Sequence, residues 1–441
     1  MFREHSAPSK RAQLITAVLA VVLAVACAGE SGREDGIRAG GNAVGDSSLG
    51  VVEVAAGEAV QIRSLEALTG DYSIVGLAID RATAMAVADY GPIHGFDVDL
   101  GASLDDLCSS DGGQAAAQAI VADADVVGVI GTSCSSAAIA AAPLVAAAGM
   151  VMISAGATSP ALTSDLAGNP GPNRTPGFYR TVTNDVFQGA AMARFVHDEL
   201  GLSTAAAIHD GDPFTQGLAS AFAAAFEAEG GTVTRLSAIN KEDSDMVPVL
   251  TEIAAGSPQA LFLPIFQPAG DFVANQAPAV PGLEDTVLVG ADSLLNLNFL
   301  SLPQSAGMYF TGPDRRFADN VNQSTGKTAA DVVTDYAELY GQEPGSPFWA
   351  HAYDATTLLL EAIAAASRVD DGTLVIDRAA IREHLDRVEN YRGLTGPIAC
   401  DAFGDCGSNR IVVVRNIGGE ANAPTSMDNI VFSYPAAADR Q

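Results

Sequence analysis

Basic residues are scarce in this chain: 23 Lys and Arg stand against 53 Asp and Glu in 441 residues, a formal charge of −30. That shortage excludes a nucleic-acid backbone as partner, because phosphates are held by clustered Lys and Arg. Histidine is rarer still, six in all and without an H-x-x-x-H, and the five cysteines contain no C-x-x-C. Nothing therefore has the spacing of a zinc site, and no metal or cofactor is expected. No G-x-G-x-x-G follows a strand and there is no Walker A, so the phosphate-cradling loops are missing too. Gly131-Thr132-Ser133-Cys134-Ser135 is not a G-x-S-x-G nucleophile elbow, and His209-Asp210 reads as a strand-end pair rather than part of a triad. Beyond residue 26 no apolar run is long enough for a membrane span; the best, residues 137–153, is broken by Pro143 and Gly149.

What is present is apolar. Hydrophobic residues make up 48% and charged ones 17%, which excludes a wholly disordered chain and is enough for a sizeable core. The length suggests two or three compact units. At the start, Arg3, Lys10 and Arg11 precede thirteen apolar or small residues, Leu14 to Ala26, interrupted only by Thr16. That run is too short for a span and suits the core of a secretory signal. It ends at Leu23-Ala24-Val25-Ala26-Cys27, which resembles a bacterial lipobox with the leucine one place early. Residues 1–26 are read as a signal peptide and Cys27 as the lipidated first residue of an exported, membrane-anchored chain. The plainer alternative is an ordinary signal peptide with an incidental cysteine. Without those 26 residues the charge is about −32.

Setting Cys27 aside leaves four cysteines, as export in an oxidising compartment favours. The pairs expected are Cys108–Cys134 and Cys400–Cys406; four buried thiols are the alternative. The first bridge closes a loop worth roughly 3 kcal/mol in the chain-entropy model.

Residues 27–57, rich in Gly, Ser, Asp and Glu, read as a tether. From Val60 onward, short β-prone runs alternate with Ala-rich helical stretches. Strand Val60–Leu65 is followed by the loop Thr69–Ser73 and a helix from Gly76 to Asp89. Strand Val126–Ile130 precedes a helix from Ser136, and strand Met150–Ile153 follows. A Pro/Gly-rich break at 169–177 separates this series from a second one, with strands at Ala205–Ile208, Ala260–Leu263, Thr286–Gly290 and Ile411–Arg415. Such alternation predicts an α/β class of two doubly wound lobes, each with a mainly parallel sheet.

Two loops carry the chemistry. Gly131-Thr132-Ser133-Cys134-Ser135-Ser136 and Ser154-Ala155-Gly156-Ala157-Thr158-Ser159-Pro160 place hydroxyls at the C-terminal ends of consecutive strands. Ligands of open α/β sheets bind outside those ends. The first loop also opens a helix, whose free N–H groups favour an anion. Simple N-capping explains the same residues on spacing alone.

These two motifs, with Ile208-His209-Asp210…Gly217-Leu218-Ala219 and Val289-Gly290-Ala291-Asp292, resemble the bacterial branched-chain amino acid (leucine/isoleucine/valine) binding proteins. Those are type I periplasmic solute-binding proteins of ABC importers. The resemblance runs from about Val60 to Ile417. It implies a ligand carboxylate on Ser135, on the backbone at Ala157 and on Thr158, an α-ammonium on Asp292 from the other lobe, and a disulfide at Cys108–Cys134 beside the site. By itself Asp292 is an ordinary strand-end carboxylate.

The resemblance also implies three crossings, near residues 180, 312 and 397. Lobe 1 would then be 58–180 plus 312–397, and lobe 2 would be 181–311 plus 398–432. The implied partners are a small-molecule ligand, a membrane permease and an ATPase, with the chain a monomer that binds without breaking a bond. A sensor of the same fold, or an enzyme with an unmarked site, are the rivals. The family's aromatic after the first strand is matched here by Val75, and the second-lobe wall by Phe214, Phe266 and Gln267. Asp292 is one methylene shorter than the family's Glu. Trp349 and Tyr353 are read as core.

Overall fold

The computed structural model describes residues 44–317 and 319–435. Two parallel sheets organise them. The first runs Val98–Asp99, Val60–Glu66, Val126–Gly131, Val151–Ser154, Phe178–Arg180, with Leu104–Asp105 also pairing beside Val60–Glu66. The second has seven strands in the order Ile430–Tyr434, Ile411–Arg415, Tyr309–Pro313, Val287–Gly290, Ala260–Leu263, Thr204–His209, Thr232–Ala238. Only its last two strands in chain order, Ile411–Arg415 and Ile430–Tyr434, pair antiparallel. The α/β class of two doubly wound lobes is what the alternation predicts.

Both parallel series share one winding order. In each, the first strand of the series (Val60–Glu66, Thr204–His209) lies inside, with the second strand on one flank and the third on the other. The chain reverses direction across the sheet there, so the loops at the C-terminal ends of the first and third strands diverge and leave a crevice. The first crevice lies between the loops after Glu66 and after Gly131. The second lies between those after His209 and after Leu263.

Buried apolar residues set each strand. Val126–Gly131 is buried along its whole length, as a strand covered by helices on both faces must be. One face packs on helix Trp349–Ala365, whose Leu358, Leu359 and Ile363 are fully buried. The other packs on helices Ser110–Val121 and Ser135–Ala147. Helices begin where the sequence supplies caps. Ser109 accepts from Gly112 N at 3.1 Å, Asp212 from Phe214 N at 2.9 Å with Pro213 next, and Thr328 forms a capping box with Asp331.

The chain passes between the two sheets after Phe178–Arg180, after Tyr309–Pro313 and before Ile411–Arg415. Val51–Val54, inside the stretch expected to be tether, is a strand paired antiparallel with Thr373–Asp377, so ordered structure starts before residue 58. Thr373–Asp377 itself forms a hairpin with Ser367–Asp370 through Asp371 and Gly372, both at positive φ. Trp349 and Tyr353 are buried in the core, and Tyr353 donates to Asp89 at 2.8 Å. Both cystine bridges are present, Cys108–Cys134 and Cys400–Cys406. Among the described residues no helix is long and apolar enough to cross a membrane. Cys27 and the signal segment lie outside the described residues.

Candidate functional site

The two crevices face each other. Tyr72, in the loop after the first strand, lays its ring edge-on to Phe266, which follows strand Ala260–Leu263, with centroids 5.0 Å apart. Phe266 in turn meets Phe214, on the first turn of helix Pro213–Ala228, at 5.3 Å. A hydrogen bond also joins the lobes, from Ser159 Oγ to the Pro213 carbonyl at 3.1 Å. The aromatic facing the second lobe is thus Tyr72. Val75, expected there from the sequence, is fully buried in the core behind helix Ser73–Tyr90, because it lies one turn into that helix on its inward face.

The first-lobe side is a frame of satisfied polar groups. Ser135 is the first residue of helix Ser135–Ala147, and its hydroxyl accepts from Ser159 N at 3.1 Å, leaving its proton to donate. Cys134, the residue before that helix, is fixed by its bridge to Cys108. Ser133 is held three ways: its amide donates to Asp106 at 3.2 Å, its hydroxyl to Glu66 at 2.6 Å, and that oxygen accepts from Ala67 N at 3.1 Å. Burial pushes Asp106 up to about 7 against the bonds from Cys108 and Ser133, and raises Glu66 well above the carboxylate range. In the second loop the Ala157 amide donates to Ser154 Oγ at 2.8 Å, and its carbonyl accepts from Arg180 at 3.2 Å. Arg180 is wholly buried. It also donates to the Ser159 carbonyl at 2.9 Å, to Thr163 and to Asp405. One guanidinium therefore sets the shape of the loop that presents Thr158.

The opposite side is unbalanced. Asp292 lies two residues past the end of strand Val287–Gly290 and is 3% exposed. Burial pushes it up to about 6, opposed by the Gln188 side chain and the Ser293 amide at 2.9 Å. Asp185 opens helix Asp185–Arg194, wholly buried, its amide donating to the Thr158 carbonyl at 3.1 Å. Neither of its carboxylate oxygens has a hydrogen-bond partner among the described residues, and neither does Thr158 Oγ1. Burial raises Asp185 well above its ordinary range and the Asp292 charge raises it further, with the neighbouring Thr158 hydroxyl and Arg180 pulling partly back. Two buried carboxylates that repel each other favour a cation between them.

Ser135, Cys134, Thr158, Asp292, Phe214 and Phe266 thus belong to one region, reached from both lobes. Ala157 lies there too, with its amide and carbonyl engaged inside its own loop. Asp185, Arg180 and Tyr72 were not picked out from the sequence. For Tyr72 a signal existed, an aromatic in the loop after the first strand; Asp185 and Arg180 carry no local pattern that sets them apart. Gln267 lines a cavity with Tyr72 and Phe266 and is held by its amide, which donates to Asp271 at 2.9 Å. Among the described residues no group of three or more His, Cys, Asp or Glu is placed to hold a metal ion.

Hydroxyl donors on one lobe, carboxylates on the other and aromatic rings between them define a two-lobed binding protein for a small polar solute. The chain belongs to the periplasmic binding protein family, whose model matches residues 59–414. It is 24% identical over 355 residues to the leucine-, isoleucine-, valine-, threonine- and alanine-binding protein of Pseudomonas aeruginosa, covering 79% of this chain and 88% of that one. Among solved structures it resembles the leucine-binding protein LivK of Thermotoga maritima, with a TM-score of 0.69, 26% identity and 81% and 95% of the two chains covered. It also shares the fold of LivJ of Streptococcus pneumoniae, a branched-chain amino acid transporter substrate-binding protein solved with isoleucine, with a TM-score of 0.67, 19% identity and 85% and 99% covered.

Proposed function

We propose that this chain is the extracytoplasmic substrate-binding component of an ABC importer and captures an amino acid in the interlobe cleft. Ser135 and Thr158 hydroxyls, with the first-turn amides of helix Ser135–Ala147, take the α-carboxylate. Asp292 and Asp185 take the α-ammonium, and Phe214, Phe266 and Tyr72 wall the side chain. One observation carries the reading: the Asp185 carboxylate is buried beside Asp292 and faces only the Thr158 hydroxyl, with no cation of the fold bonded to either acid among the described residues. A zwitterion supplies the missing cation to the two acids, and its carboxylate takes the Thr158 hydroxyl that the ammonium frees. A ligand held from both lobes favours the closed arrangement, which is the form a permease and its ATPase recognise. The names of the relatives favour import over sensing, and binding without turnover over catalysis. A thermal-shift and calorimetric survey of the twenty amino acids tests the reading. Saturable binding by at least one is expected, and none binding contradicts it.

Export and anchoring complete the proposal. Residues 1–26 act as the signal, Cys27 is acylated, and the tether ends before Val44, which packs on the first-lobe core, and Ser47, whose amide donates to Asp377 at 3.0 Å. Replacing Cys27→Ser should release the protein from membranes into the medium; unchanged membrane fractionation argues against the anchor.

A further inference from the structure

The cleft holds more negative charge than one α-ammonium neutralises. Besides Asp185 and Asp292, Asp212 stands at the start of helix Pro213–Ala228, next to Phe214. It lines a cavity of about 370 Å³ together with Ser136, Phe266 and residues of both lobes. Ser136 lines the same cavity and is 6% exposed; its hydroxyl stands next to Asp212, whose proton affinity it lowers, and has no other partner among the described residues. Bases do not balance these acids. Lys241 reaches the cavity and its charge acts on Asp212, but it is exposed and in no ion pair among the described residues, and the Arg180 guanidinium is engaged by Asp405, Thr163 and two carbonyls. Tyr72 reports the imbalance. After burial, the charges that raise its phenol are Asp292, Asp106, Asp185 and Asp212.

A zwitterion adds no net positive charge to this set. Its carboxylate is taken by the first lobe and its ammonium by Asp292 and Asp185, which leaves Asp212 at the side-chain end. There the Phe266 and Phe214 rings offer apolar surface to a methylene chain and ring faces to a cation.

We propose that the ligand is a dibasic amino acid, its α-ammonium between Asp292 and Asp185 and its second cationic group against Asp212 and the Ser136 hydroxyl. This rests on the amino-acid reading above and narrows it. Asp212→Asn separates charge from architecture, because Asn caps a helix as well as Asp does.

Calorimetry on the full-length protein at pH 7.5 with L-lysine, L-arginine, L-ornithine, L-leucine, L-isoleucine and L-glutamate tests it. At least one dibasic ligand should bind ten times more tightly than leucine, and Asp212→Asn should weaken that ligand at least tenfold while changing leucine less than threefold. Leucine or isoleucine binding as tightly as every dibasic ligand overturns the proposal and leaves amino-acid capture intact. An equal loss for lysine and leucine in Asp212→Asn also overturns it. No binding by any of the six overturns the dibasic proposal, and the survey of all twenty amino acids then decides the amino-acid reading.

Discussion

The two sides of the cleft are built on opposite principles. On the first lobe the groups around Ser135 and Thr158 are tied to one another: Ser133 by Asp106 and Glu66, Cys134 by a disulfide, and the second loop by a wholly buried Arg180. On the other side two carboxylates, Asp185 and Asp292, are buried together; burial raises the proton affinity of both, and the Asp292 charge raises that of Asp185 further. The first side holds its geometry whether or not a guest is bound. The second is destabilised until a cation arrives, so it gains the most from binding. Preorganised donors hold the anionic end in register, and relief of repulsion between buried charges supplies differential affinity for the closed form.

The largest expected effect attacks the frame. Arg180→Ala removes one partner of a buried ion pair with Asp405 and frees three acceptors, and should lower stability by about 3–5 kcal/mol in urea unfolding. A loss below about 1 kcal/mol would show that the loop holds its shape without it. Next is the other side. Asp292→Ala should weaken ligand about a hundredfold, on the order of 3 kcal/mol, by leaving an ammonium incompletely paired in a buried cleft. A change below threefold in calorimetry would falsify its role.

Acidity should separate the two sides without mutation. Asp292 titrates at about 6 in the fold against its ordinary 3.8. An ammonium binds its ionised form, so affinity should fall about tenfold from pH 7 to pH 5. Without ligand the sign reverses. The folded state holds this proton more tightly than the unfolded chain does, so Asp292 makes stability fall as pH rises from about 3.8 through 6. Affinity that is flat over that range removes Asp292 from the contact. Asp185→Asn should likewise stabilise the ligand-free protein, by about 1 kcal/mol, while weakening the ligand; destabilisation would mean that Asp185 is compensated within the fold. The smallest effect belongs to Ser135→Ala, about threefold to fivefold in affinity, because helix amides still face the carboxylate. If neither Ser135→Ala nor Thr158→Ala changes affinity, the carboxylate assignment is wrong.

Much of this comparison was legible in the chain, for identifiable reasons. Parallel strands buried on both faces write themselves as runs such as Val126–Ile130, and strand ends mark the loops that hold Ser135 and Thr158, but the ligand roles of these residues and of Asp292 come only from the family resemblance. The hairpin around Asp371-Gly372 carries a turn signal in that dipeptide, but its strands are too short and half-polar to stand out from the sequence. Asp185 and Arg180 stayed hidden for another reason. Each acts through partners far away in the chain, Asp292 in one case and Asp405 in the other, and no local spacing records such a pairing. The aromatic wall was displaced for want of three residues of helix: starting at Ser73 rather than Gly76 turns Val75 inward and leaves Tyr72 at the crevice.

A crystal structure with the tightest-binding amino acid tests the central claim most directly. The account predicts the α-carboxylate within hydrogen-bond reach of Ser135 Oγ and Thr158 Oγ1, and the α-ammonium between Asp185 and Asp292. An amino acid lying in the reverse orientation, or seated away from these four residues, contradicts it.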